Sequence, residues 1–134
     1  MFAALIDITR MGEWSPETHI AEWNDGFDEA AVGAEFTGHN RNGDYEWSTV
    51  AEIVDLVPDQ RFFFDCKVGD FVFAKWGYAS EPTSVGCRVT EFSQDLRPEQ
   101  IKPSTVSISG VEDRLTHNRA GMEATLARLA SALE

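Results

Sequence analysis

Six stretches of the chain alternate apolar and polar residues: HIAEWND, GAEFTGHNRN, DYEWSTVAEIVDLV, QRFFFDCKV, DFVFAKWGYASE and SVGCRVTEFSQ. A period of two belongs to a strand with one covered face. The breaks between them are Asn24-Asp25-Gly26, Asn42-Gly43-Asp44, Pro58-Asp59, Gly69-Asp70 and Glu81-Pro82-Thr83-Ser84. These are residues of tight turns, and tight turns join antiparallel neighbours. The pattern predicts six strands in one curved antiparallel meander.

Before and after the strands the period lengthens. Phe2, Leu5, Ile6 and Ile8 mark the apolar face of a helix that has no capping residue in front. After it, Gly12 and Ser15-Pro16 predict a short helical turn and a loop. At the other end Leu115, Asn118, Met122, Leu126, Leu129 and Leu133 recur at helical spacing, predicting a long amphipathic helix with acidic residues in its first turn. The stretch from Pro98 to Gly110 is irregular and too long for a hairpin loop, so it is expected to form a lid or gate.

The strand faces differ. Phe62, Phe64, Cys66 and Val68 share one side of their strand, and Val72, Ala74, Trp76 and Tyr78 one side of the next. One face is rich in aromatics and needs a cover, which the last helix is long enough to supply. The fold class predicted is α+β, a curved antiparallel sheet wrapped around a long C-terminal helix. Residues 1–134 are read as one domain.

Composition narrows the partners. There are 23 acidic and 11 basic residues, a net charge of -12, with no basic cluster. Phosphate binding needs Lys and Arg to displace counterions, so nucleic acid is not expected, nor is an anionic membrane surface. No apolar run approaches a membrane span, so no membrane insertion is expected. Cys66 and Cys87 lie in strand-like segments and read as small core residues, which points to a reducing cytoplasm. His19, His39 and His117 lack ligand-spaced partners, and no glycine loop cradles phosphate, so no metal or cofactor is expected.

The segments DITRMGEWSPE, VGAEFTGHNRNG, YEWSTVAEIVDLVPDQRFFF and DRLTHNRAGMEATLARL resemble the polyketide cyclase/dehydrase and lipid-transport family, the SRPBCC or START-like group. The resemblance implies a helix-grip fold and a hydrophobic or aromatic ligand, lipid- or polyketide-like, held between sheet and helix. It also implies a strand ahead of the first helix. That first strand is missing here, so the expectation is an N-terminally truncated domain, or a homodimer formed through the exposed sheet edge.

The candidate lining follows. Trp47, Phe62, Phe64, Trp76 and Tyr78 are expected from the sheet, Asn118 and Met122 from the helix, and Trp14 from the mouth. Asn118 is an amide on an apolar stripe and needs a partner: a ligand, a water or a strand backbone group. His117 at the rim would suit proton transfer, or bond the lid loop. Gly121 in the helix interior signals close approach of another segment or a ligand. Glu91 shares a face with Val89 and Cys87, so one register puts a carboxyl in the cavity as a general acid. A bulge would instead put Phe92 inside. Arg41 and Arg88 are assigned to exposed pairs with acids. The sequence supports ligand binding first. A cyclase, aromatase or dehydratase using Glu91 or His117 comes second, and a protein-interaction module third.

Overall fold

A computed structural model of the chain describes residues 2–132. The elements run α1 (Phe2–Ile6), a 3-10 helix (Ile8–Glu13), β1 (Thr18–Trp23), β2 (Glu35–Asn42), β3 (Tyr45–Val57), β4 (Arg61–Val68), β5 (Phe71–Thr83), β6 (Gly86–Asp95), α2 (Lys102–Ser109) and α3 (Arg114–Ala132). The six strands form a single antiparallel sheet in sequence order, so the meander and its turns are as the alternation predicts. With α3 at the end of the chain this is the helix-grip arrangement.

Three register shifts curl the sheet: between Thr18 and Ile20 in β1, between Ile53 and Asp55 in β3, and between Cys66 and Lys67 where β4 meets β5. Each extra residue bends its strand and sharpens the twist. The third has a further effect. Phe62, Phe64 and Cys66 stand opposite Tyr78, Trp76 and Ala74, but beyond the shift Val68 stands opposite Phe71. The inward set of β5 therefore changes from even to odd positions. Phe71 and Phe73 face the concave side, correcting the expectation for Val72.

The concave face is divided. At one end Phe62, Ile53, Phe36 and Phe64 pack with Leu5 and Ile8 from the N-terminal helices and with Leu129 from α3. Phe36 meets Phe64 edge-on with ring centres 5.2 Å apart, and Phe62 lies 5.6 Å from Phe64. Burying such side chains stabilises the fold by roughly 1.5–3 kcal/mol each. Toward the other end, α3 presents Gly121, Ala124 and Thr125, and the space between helix and sheet stays open.

The helices depart from their sequence patterns in specific ways. Asn118, Leu126 and Leu129 of the predicted stripe face inward, but Leu115 is 78% exposed and Thr125 is buried, so the inward face of α3 departs from the stripe at its start. Leu133 lies outside the described residues. The acids precede α3, whose first turn contains none. Asp113 caps the helix, its side chain accepting from the Thr116 amide at 3.1 Å and hydroxyl at 2.7 Å. Those bonds hold its carboxyl below the usual range.

The irregular stretch contains α2. Pro103 sits in its first turn, where a missing N–H costs nothing. Gly110 ends it with φ 72°, donating to the Val106 carbonyl at 2.7 Å. A β-carbon there would stand 2.6 Å from the Tyr45 ring, so space and backbone both demand glycine. Cys87 is exposed near the β5–β6 turn, opposite Pro82, and is not the core residue expected. Cys66 is buried.

Candidate functional site

A cavity of about 800 Å³ lies between the concave face, α2 and α3. Its apolar wall comes from Trp47, Phe64, Cys66, Phe71, Phe73 and Trp76, and its polar groups collect in separate places. Val68, Phe71, Ile101 and Ile108, all exposed, give it an apolar edge. Concave, mostly apolar sites with few polar anchors are the usual shape of small-molecule binding sites.

One polar corner belongs to the start of α3. Arg114, His117, Asn118 and Gly121 fall at helical spacing on the face turned to the cavity. Arg114 Nη1 donates to both Glu17 carboxylate oxygens at 2.9 Å and to Asn118 Oδ1 at 3.3 Å. Its guanidinium lies 5.8 Å from the centre of the Trp47 ring. His117 Nε2 is 2.9 Å from Glu17 Oε2. The partner of Asn118 is thus an arginine one turn earlier, a choice absent from the three expected. His117 is tied to the loop before β1, and not to the 98–110 segment. Gly121 faces Pro16 of the same loop at ordinary contact distance.

The second corner is on β5 and β6. Inward positions of β6 are Val89, Glu91, Ser93 and Asp95, paired with β5 without a register shift. Glu91 therefore stands opposite Tyr78 and lines the cavity, and the bulged alternative is not formed. Phe92 turns outward, where its ring lies 5.6 Å from that of Phe63 across Gly77. Burial pushes the Glu91 carboxyl up to about 8, while a bond from the Tyr78 hydroxyl works in the opposite direction. The Tyr78 phenol is raised well above its ordinary value, by burial first and by the neighbouring carboxylate second. Glu91 Oε1 is buried and has no hydrogen-bond partner among the described residues.

A third set of polar groups fastens α2. Arg97 donates from Nε and Nη2 to the two oxygens of Asp95 at 2.9 and 2.7 Å, and from Nη1 to Thr105 Oγ1 at 2.5 Å. Asn42 Nδ2 donates to the Ser109 carbonyl at 2.8 Å. The helix is thus bonded at its middle, through Thr105, and at its C-terminal end, through Ser109.

Of the residues expected to touch a ligand, Trp47, Phe64, Trp76, Tyr78 and Asn118 line the cavity. Trp14, Phe62 and Met122 do not. Trp14 is 2% exposed and packed in the core, because the 3-10 helix carries it beneath the sheet's packed end instead of to the mouth. Phe62 is fully buried at that same end. Met122 is one position past Gly121, and about 100° per residue takes it off the cavity face.

Arg114, Glu17, Arg97, Phe71 and Phe73 line the cavity without having been singled out. The spacing of Arg114 to Asn118 was a usable signal. Glu17 was hidden, since its partner lies 97 residues away in sequence.

Cys66 lines the wall, but burial pushes its thiol up to about 12 and leaves no nucleophile at neutral pH. Arg88 pairs with Glu81 at 3.4 Å on the exposed outer side. Among the described residues no three His, Cys, Asp or Glu side chains are grouped to hold a metal. No helix there is long and apolar enough to cross a membrane.

No protein-family model matches the chain, and no curated protein does. Among solved structures the chain is similar to the solution NMR structure of a Polyketide_cyc-like protein from Corynebacterium glutamicum. That protein is 28% identical, the match covers 98% of this chain and 73% of the other, and the TM-score is 0.49.

Proposed function

We propose that the protein binds a small, largely apolar molecule, aromatic or lipid-like, in the cavity between the sheet and α3. The observation that carries this reading is the cavity itself: about 800 Å³ walled by Trp47, Phe64, Phe71, Phe73 and Trp76. A sheet face this aromatic ordinarily packs solid against its cover. Here the covering helix carries Gly121, Ala124 and Thr125 at the points where large side chains would close the gap. Burial of the ligand's apolar body supplies affinity, and the two polar corners supply orientation.

One observation favours catalysis as a second reading. Glu91 is a carboxyl held near neutrality inside an apolar wall, suited to lend a proton to a bound substrate in cyclase, aromatase or dehydratase chemistry.

The test is calorimetric titration of the protein and of Ala124→Trp with 2-ethylnaphthalene. The wild type is expected to take one equivalent. A ligand at a hundred times its Kd adds about 2.7 kcal/mol to stability, roughly 10 °C in Tm for a domain of this size. Ala124→Trp, which fills the cavity, should fold and bind nothing. A folded wild type with no heat of binding and no Tm shift contradicts the reading. The ligand's mass after incubation separates the two readings: unchanged for a carrier, lighter by water for a dehydratase acting on a hydroxylated analogue.

A further inference from the structure

The two polar corners of the cavity are unequal. Around α3, Arg114, His117, Glu17 and Asn118 bond to one another. Beside α2, Asp95 holds Arg97 through two bonds. Glu91 alone has a buried oxygen, Oε1, with no partner among the described residues. A buried polar atom without a partner costs free energy that a bonded one does not, so a ligand supplying the missing partner gains what the empty site lacks.

The surroundings of Glu91 decide what that partner is. From β5 it faces the Tyr78 hydroxyl. On its own strand the inward neighbour is Asp95, already engaged by Arg97. From α3 the groups on the cavity wall are the Arg114 guanidinium and the His117 ring, both engaged by Glu17. Among the described residues no cation stands against Glu91, and burial holds it largely protonated at neutral pH. A protonated carboxyl donates one O–H.

Across the sheet, Glu91 on β6 is in register with Tyr78 on β5, Phe62 on β4 and Leu56 on β3, so Trp47, nine residues before Leu56, belongs to the other end of the cavity.

We propose that Glu91 and Tyr78 are the specificity-determining pair of the cavity, and that its ligand is an uncharged apolar molecule whose terminal hydrogen-bond-accepting oxygen, of ketone or ester type, docks against the Glu91 carboxyl. The inference rests on the cavity-binding reading above and adds the chemical class of the ligand. Glu91 donates to the oxygen, Tyr78 borders it, and Trp76 and Phe64 cover the rings. An amine would instead require Glu91 to ionise, and a plain hydrocarbon would leave Oε1 as it is in the empty site.

Three naphthalene probes of one size separate these cases: 2-acetonaphthone, 2-ethylnaphthalene and 2-(naphthyl)methylamine. Each is titrated at pH 7 and pH 9 into the wild type, Glu91→Gln and Glu91→Leu. The proposal expects the ketone to bind at least tenfold more tightly than the hydrocarbon at pH 7. It expects the ketone to lose about tenfold in affinity by pH 9, as the donor form is depleted. Glu91→Gln keeps a donor and should bind the ketone with no such pH dependence. Glu91→Leu should bind ketone and hydrocarbon alike. Equal affinity of ketone and hydrocarbon in the wild type overturns the inference while leaving the binding reading intact. Preference for the amine, strengthening from pH 7 toward the Glu91 midpoint, overturns the ligand class. No binding of any probe overturns both.

Discussion

Glu91 makes the folded protein hold a proton that the unfolded chain releases. Its carboxyl titrates near 8 when folded and near the ordinary 4.5 when unfolded. Between those values the native state binds more protons, so stability is highest below about pH 4.5 as far as this group is concerned. It falls as pH rises and levels off above about 8. Urea unfolding at pH 5, 7 and 9 should show that decline in the wild type and a flatter profile in Glu91→Gln. A wild-type profile no steeper than the variant's would mean that the carboxyl is not buried. Alternation along β6 offered Glu91 as an inward residue in one of two registers, and the unshifted pairing with β5 is the one formed. The same reasoning failed for Val72. The shift beside Cys66 and Lys67 lies in the pairing of two strands, and no residue type in either strand announces it.

At the level of elements, α2 is the least anchored piece of the cavity wall. It has eight residues, no side-chain N-cap and an exposed outer surface. Isolated helices of that length are unstable in water, so its order depends on the Arg97 bond to Thr105 in its middle and on Asn42 at its C-terminal end. Arg97→Ala should speed amide exchange across α2 several-fold while leaving β3 and β4 as protected as before. Unchanged exchange in α2 would show that apolar contacts alone hold it. Asp95 adds an acid dependence to the same wall. The Arg97 bonds hold its carboxyl below the ordinary 3.8, so the stability it contributes is present above that value and lost as pH falls through the lower folded one. The strands and α3 were legible because each carries a sustained period. Helix α2 was not, since Lys102–Ser109 is short and rich in Ser and Thr, and its apolar residues mark no strong face. The stripe of α3 was legible only in part. Asn118, Leu126 and Leu129 face inward as their spacing marks, yet Leu115 is exposed and the face over the cavity adds Arg114, His117, Gly121 and Thr125.

For the whole molecule the central feature is the division of one concave face into a solid end and a hollow end. Large residues from α1, the 3-10 helix and the last turns of α3 fill the first, and small residues in the middle of α3 leave the second open. The sheet-and-helix architecture followed from periodicity and turn residues, together with the resemblance of four long segments to the helix-grip family. The boundary between packed and open ends did not, because it depends on which aromatics α3 reaches. Phe62 and Phe64 alternate on the same strand face, yet only Phe64 meets the cavity. That boundary can be read directly from the indole N–H signals of the four tryptophans during titration with 2-acetonaphthone. Trp47 and Trp76 line the hollow end, while Trp14 and Trp23 pack at the solid end. Saturable shifts of the Trp47 and Trp76 signals, with Trp14 and Trp23 unmoved, are the predicted result. Shifts at Trp14 or Trp23 alone, or no saturable shift at any of the four, would contradict a ligand cavity between the sheet and α3.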